Sequence, residues 1–215
     1  MITNDAREAW AKARDNGLRS QHEVIVERLN TGCEVQIGAK GGEGAGKNAD
    51  YAPVHICIES MSEPVQNIGD YLNCQGSIFT EGTMRKKTIM AGLAVSQIAM
   101  TRLPGFKKWS NERQQLFYWL ALAAMRRVWV VLNNYQDATD CKGRNEGRTL
   151  EEPWMINKWL RGVHGKSIDL KRWGEQWSGP WALLQDVIYE LDDQGQVAVE
   201  ECVGIKRKSM QKKVG

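Results

Sequence analysis

Gly41 to Asn48, GGEGAGKN, matches the phosphate-loop pattern G-x-x-x-x-G-K-[ST] at every position but the last. In such a loop, successive backbone N–H groups ring the phosphates. The Lys reaches the outer phosphates and a hydroxyl holds Mg²⁺. Here Asn48 stands where the hydroxyl belongs and is a poor ligand for a hard metal. The pattern also requires a helix directly after Lys47, whereas Pro53 lies close behind it and a strand is expected beyond. No apolar run ends in an Asp to hold the metal; VWVVL ends at Asn133. Nucleotide binding through a degenerate loop at 41–48 is therefore the third-ranked function. Lys40 and Lys47 on a loop tip suit contact with a phosphate backbone better.

The other residues that could do chemistry are cations, and they are unevenly spread. Residues 1–81 carry 7 Lys/Arg against 12 Asp/Glu, net −5, while residues 82–215 carry 22 against 14, net +8. Between 82 and 111 lie Arg85, Lys86, Lys87, Arg102, Lys107 and Lys108 with no acid. Lys166, Lys171 and Arg172 follow, and the tail adds Lys206, Arg207 and Lys208. Such asymmetry points to a face that meets a polyanion, or to an acidic half folded back on a basic one. Arg85, Lys86 and Lys87 in a first helical turn oppose the helix dipole, which favours acids there.

Metal and thiol chemistry have less support. Cys33, Cys57, Cys74, Cys141 and Cys202 form no Cys-x-x-Cys pair, so neither a zinc ribbon nor a disulfide framework is expected. His22, His55 and His164 are isolated from one another. Asp137 and Asp140 lie in a polar stretch without a third partner at fixed spacing. No catalytic residue, metal or cofactor is expected, and the chain reads as a protein without a catalytic centre.

Positioning these residues requires a core. At 215 residues, 42% hydrophobic and 26% charged, the chain suits one large globular domain or two small ones. No apolar run follows Met1, and the reduced-cysteine pattern suits a cytoplasmic location. The densest apolar stretch is Leu116 to Leu132, LFYWLALAAMRRVWVVL. Free of Gly and Pro from Asn111 onward and capped by Ser110 or Asn111, it predicts a buried helix of roughly six turns. Arg126 and Arg127 interrupt it, which argues against a membrane span.

Around it the fold class is mainly α with an α+β element. A helix begins at Asn4 or Asp5, with Ala6, Ala9, Trp10 and Ala13 on its apolar stripe. A second runs over His22 to Asn30. A β-hairpin is expected near 34–59, because Val35 and Ile37, then Val54, Ile56 and Ile58, alternate with polar neighbours. Met61 to Gly82 reads as irregular. A helix over Met84 to Arg102 should bury Ile89, Met90, Leu93, Ile98 and Met100.

The C-terminal third has the outline of a winged helix-turn-helix. Its parts are a helix over Leu150 to Arg161, a turn at Gly162-Val163-His164-Gly165, and a second helix over Ile168 to Trp177 exposing Lys166, Lys171 and Arg172. Residues 181–203 read equally well as a hairpin wing or as a helix started by Pro180. The domains so drawn are a helical core with hairpin at 1–136, a helix-turn-helix-like region at 137–204 and a basic tail at 205–215.

The first-ranked function is thus a nucleic-acid-binding regulatory or accessory protein, with DNA ahead of RNA. Its contacts would be Arg85, Lys86, Lys87, Lys107, Lys108, Lys166, Lys171, Arg172, Lys206, Arg207 and Lys208. The second is a protein-interaction module, an inhibitor or adaptor docking through exposed tryptophans, five of which fall between Trp154 and Trp181.

Overall fold

The computed structural model describes residues 5–14, 43–74, 81–132 and 150–204. Among these are eight α-helices and no strand. They are α1 (Ala6–Ala13), α2 (Glu43–Ser60), α3 (Glu63–Asn73), α4 (Glu81–Arg102), α5 (Asn111–Leu132), α6 (Pro153–His164), α7 (Trp173–Gln176) and α8 (Ser178–Val203). Short 3-10 turns sit at Phe106–Lys108 and Leu170–Arg172. The chain divides into two compact units, one from residues 1–80 and 193–215, the other from 81–192.

In the first unit, Asp5 caps α1 by accepting from the Arg7 and Glu8 backbone N–H groups at 2.8 and 3.4 Å. The expected stripe of Ala6, Ala9, Trp10 and Ala13 is buried, and it packs on α2 and α3. The strand expected at Val54–Ile58 is instead part of α2, so the hairpin near 34–59 is not formed as drawn. Tyr51, Val54 and Ile58 are buried while Ile56 is 68% exposed. Spacings of three and four belong to a helix face, and they share members with the period-2 pattern that suggested a strand. The helix expected over His22–Asn30 and the strand residues Val35 and Ile37 lie outside the described residues. The stretch read as irregular carries α3, with Val65, Ile68, Tyr71 and Leu72 buried at helical spacing.

Trp10 organises this unit. It is fully buried, and its indole N–H donates to the Asp70 carboxylate at 2.9 Å. The same Asp70 oxygen accepts from Arg14 Nε at 2.9 Å, and Arg14 also pairs with Glu59. Burial lowers the Arg14 pKa, but the attraction of Asp70 and Glu59 raises it by more, so the guanidinium stays charged. The ring fits because two glycines face it. A Cβ on Gly69 would come within 2.1 Å of the indole, and one on Gly195 within 2.9 Å.

In the second unit, α5 begins and ends where the sequence indicated, with Ser110 Oγ accepting from the Arg113 N–H at 3.3 Å. Phe117, Leu120 to Met125, Val128 and Val130 are buried. Arg127 pairs with Glu151 at 3.1 Å. Among the described residues α5 is the one helix long and apolar enough to cross a membrane, and half of that stretch is buried within the protein.

Helix α4 packs on α5, but by a different face from the one expected. Ala91, Gly92, Val95, Ser96 and Ala99 are buried, whereas Ile89, Met90 and Leu93 are exposed. Small residues win because the helices approach closely. A Cβ on Gly92 would lie 2.4 Å from a Leu122 methyl carbon.

The winged helix-turn-helix outline does not survive in this form. Helix α6 runs through Gly162 and ends at Gly165, which takes the left-handed conformation (φ 62°). Lys166 N–H then donates to Leu160 O at 3.2 Å, closing a Schellman cap. The following chain is extended, because the buried Asn157 side chain accepts from the Ile168 N–H at 2.8 Å. Asp169 then caps a 3-10 turn through the Lys171 N–H. The expected second helix is reduced to the four residues of α7. The proposed wing is helix α8: Leu184, Val187, Ile188 and Leu191 are buried at i, i+3, i+4 and i+7, and Pro180 sits in the first turn, where its missing N–H does no harm.

Candidate nucleic-acid interface

Arg85, Lys86, Lys87, Lys107, Lys108, Lys166, Lys171 and Arg172 all lie in the unit formed by 81–192. Arg85 and Lys86 are exposed on α4 and Lys87 is half-buried there. Lys107 and Lys108 are exposed on the first 3-10 turn, Lys171 and Arg172 on the second, and Lys166 just beyond α6. Lys206, Arg207 and Lys208 lie outside the described residues.

The segments that follow the two basic turns are tied together. Trp109, which ends the first turn, meets Trp177 edge-on with ring centres 6.0 Å apart. Phe106 and Phe117 complete the cluster at 5.0 and 5.7 Å from Trp109. Arg113, one turn into α5, carries its guanidinium 3.9 Å from the Trp109 ring centre and 5.3 Å from that of Trp177. It also donates to Gln176 O at 3.2 Å. Lys107 and Lys108 precede Trp109 directly, and Lys171 and Arg172 lead into the segment that carries Gln176 and Trp177. The aromatic pair and the arginine thus join the segments that follow the two turns, each of which carries two exposed cations.

Arg85–Lys87 are not part of that group. From Lys87 to the end of α4 is about 22 Å at 1.5 Å per residue. They make a separate basic end.

Beside Lys166 lies a shallow cleft of about 590 Å³, lined by Asn111, Gln114, Gln115, Tyr118, Trp119 and Lys166. Three carboxamides offer donors and acceptors, two aromatic rings offer flat faces, and one ammonium offers charge. Gln114 Nε2 already donates to Trp109 O at 3.1 Å, which turns its carbonyl toward acceptor duty. Burial pushes the Tyr118 phenol up, so it keeps its proton and can donate.

Trp119 is backed by His164, ring centres 4.3 Å apart and tilted 33°. Trp159 meets that imidazole edge-on at 5.0 Å. Burial pushes the His164 pKa below 6.5, against the helix C-terminus, which would favour the charged form. The neutral ring therefore serves as an aromatic brace at neutral pH.

The other site reading fares differently. Glu43 to Asn48 belong to α2, so Lys47 sits inside a helix and not at the end of a loop leading into one. Gly41 and Gly42 lie outside the described residues. Among the described residues, no three His, Cys, Asp or Glu side chains gather as metal ligands.

Sequence reasoning missed Trp109, Arg113, Trp119, His164 and Trp177 as positioning residues. It also missed a stripe on α6. Trp154, 53% exposed, shares one side of that helix with exposed Lys158 and Arg161, at i, i+4 and i+7. That spacing was a readable signal. No family model matches the chain, and no curated protein or solved structure is significantly similar to it.

Proposed function

We propose that residues 81–192 bind nucleic acid, and that single strands are preferred to duplex. The observation that carries this reading is the Arg113 stack, which joins the segment following Lys107 and Lys108 to the segment following Lys171 and Arg172. Four exposed cations carried by the two joined segments suit a phosphate backbone. The adjacent cleft supplies what an unpaired base needs, namely flat aromatic faces and carboxamides for its edges. A single strand is favoured because the expected recognition helix is reduced to the short α7. The protein acts here as a binding protein without a reaction of its own.

The test is competition between a labelled single strand and the matching duplex at fixed salt. The single strand is expected to win, and Lys166→Ala to narrow its lead by on the order of tenfold, the worth of one charged hydrogen bond. Equal binding of the two forms, unaltered by Lys166→Ala, would remove the cleft from the account.

A second reading is favoured by the stripe on α6. Trp154 with Lys158 and Arg161 is a rigid aromatic anchor flanked by cations, suited to an acidic protein surface. A purified acidic partner that releases on Trp154→Ser would support it; one whose affinity survives Trp154→Ser and Lys158→Ser would end it.

A further inference from the structure

Cys57 and Cys202 are far apart in sequence, on α2 and α8, yet both belong to the unit made of 1–80 and 193–215. Cys57 Sγ donates to Ala198 O at 3.4 Å. Ala198 stands one helical turn before Cys202 on the same helix, so the Cys57 thiol abuts the turn that carries Cys202. Cys202 is exposed and Cys57 half-buried. We propose that these two cysteines are a reversible disulfide site, open as dithiol and closed by exchange with an oxidised small thiol such as glutathione disulfide.

Burial pushes the Cys57 thiol up from its usual range, and the neighbouring Cys202 thiol, which lies within hydrogen-bonding reach, and Glu201 push the same way. Cys57 therefore rests as a thiol. Cys202, the exposed partner, meets the oxidant first. Its thiolate attacks one sulfur of glutathione disulfide, the S–S bond breaks, and one glutathione thiolate leaves with the electron pair. Cys57 then gives up its proton and attacks Cys202 Sγ, expelling the second glutathione. The dithiol loses two electrons, glutathione disulfide gains them, and the two departing thiolates take up the two protons.

Closure would join the two chain segments that build this unit. It would also enclose residues 81–192 in a covalent loop. A link across so long a loop restricts the unfolded chain strongly. The oxidised protein is thus expected to unfold at a higher temperature than the reduced one.

The experiment uses the full chain with Cys33→Ser and Cys141→Ser, so that Cys57, Cys74 and Cys202 remain. It is treated with glutathione disulfide, alkylated, digested and weighed. The proposal expects a Cys57–Cys202 cross-linked peptide, loss of two alkylatable thiols, and an upward shift of the unfolding midpoint that dithiothreitol reverses. In Cys57→Ser the reaction should stop at a persistent glutathione adduct on Cys202. A persistent adduct on Cys202 with Cys57 still present, or no reaction at either residue, would overturn it.

Discussion

The Arg113 guanidinium lies 3.9 Å from the centre of the Trp109 ring and reaches past it to Trp177 and Gln176 O. A cation held between two indoles and a carbonyl is a bracket. It fixes the segment after Leu103, which carries Lys107 and Lys108, against the segment before α8, which carries Lys171 and Arg172. Arg113→Met keeps the stem and removes the charge. It should lower stability by about 1–2 kcal/mol in urea unfolding, from the lost cation–π contact and hydrogen bond. It should also weaken single-strand binding although Arg113 itself touches no phosphate. Full affinity in the variant would show that the turns need no bracket.

Trp10 makes a second test. Gly69→Ala drives a methyl group into its ring, since the position of the new Cβ is 2.1 Å from the indole. Overpacking of this kind costs about 1–3 kcal/mol. Chemical denaturation should show that loss in the unit built from 1–80 and 193–215, and the Trp10→Phe background should reduce it.

Asp70→Asn probes the polar half of the same contact. The carboxylate is fully buried and serves both Trp10 and Arg14. Removing its charge leaves the Arg14 guanidinium buried with less compensation. A loss of about 3 kcal/mol is expected by denaturant titration. A neutral outcome would mean that Glu59 alone suffices for Arg14.

His164 predicts a pH dependence. Its folded pKa is lowered by burial from 6.5, so the unfolded chain binds the proton more readily. Above the unfolded pKa the imidazole is neutral in both states and costs nothing. As pH falls through 6.5 the unfolded state gains protons first, so stability declines until the folded pKa is passed. Unfolding followed from pH 7.5 to pH 5 should show this decline in the wild type. His164→Phe should remove that part of it, and an unchanged slope in the variant would assign the effect elsewhere.

The sequence made some elements plain and concealed others, for identifiable reasons. Helix α1 was legible because Ala6, Ala9, Trp10 and Ala13 keep a strict helical stripe behind an Asp5 cap. Helix α5 was legible because nothing in it breaks a helix. Helix α2 was concealed because Val54, Ile56 and Ile58 satisfy a period of two, while burial selects only Val54 and Ile58. The buried face of α4 was concealed because hydrophobicity ranks Ile89 and Leu93 above Gly92 and Ser96, whereas close packing on Leu122 ranks them the other way. The exposure of Lys107, Lys108, Lys171 and Arg172 could be read in advance. The joining of their two segments could not, because it depends on a contact between Trp109 and Trp177, far apart along the chain.

The most direct measurement is the affinity of the purified chain for a labelled single strand across a salt series, beside a variant carrying Lys107→Glu, Lys108→Glu, Lys171→Glu and Arg172→Glu. The account predicts that the logarithm of the wild-type affinity falls linearly with the logarithm of salt concentration, with a slope of several phosphate contacts. It predicts weaker binding and a flatter slope in the variant. Wild-type binding that ignores salt, or a variant that binds as the wild type does, would contradict it.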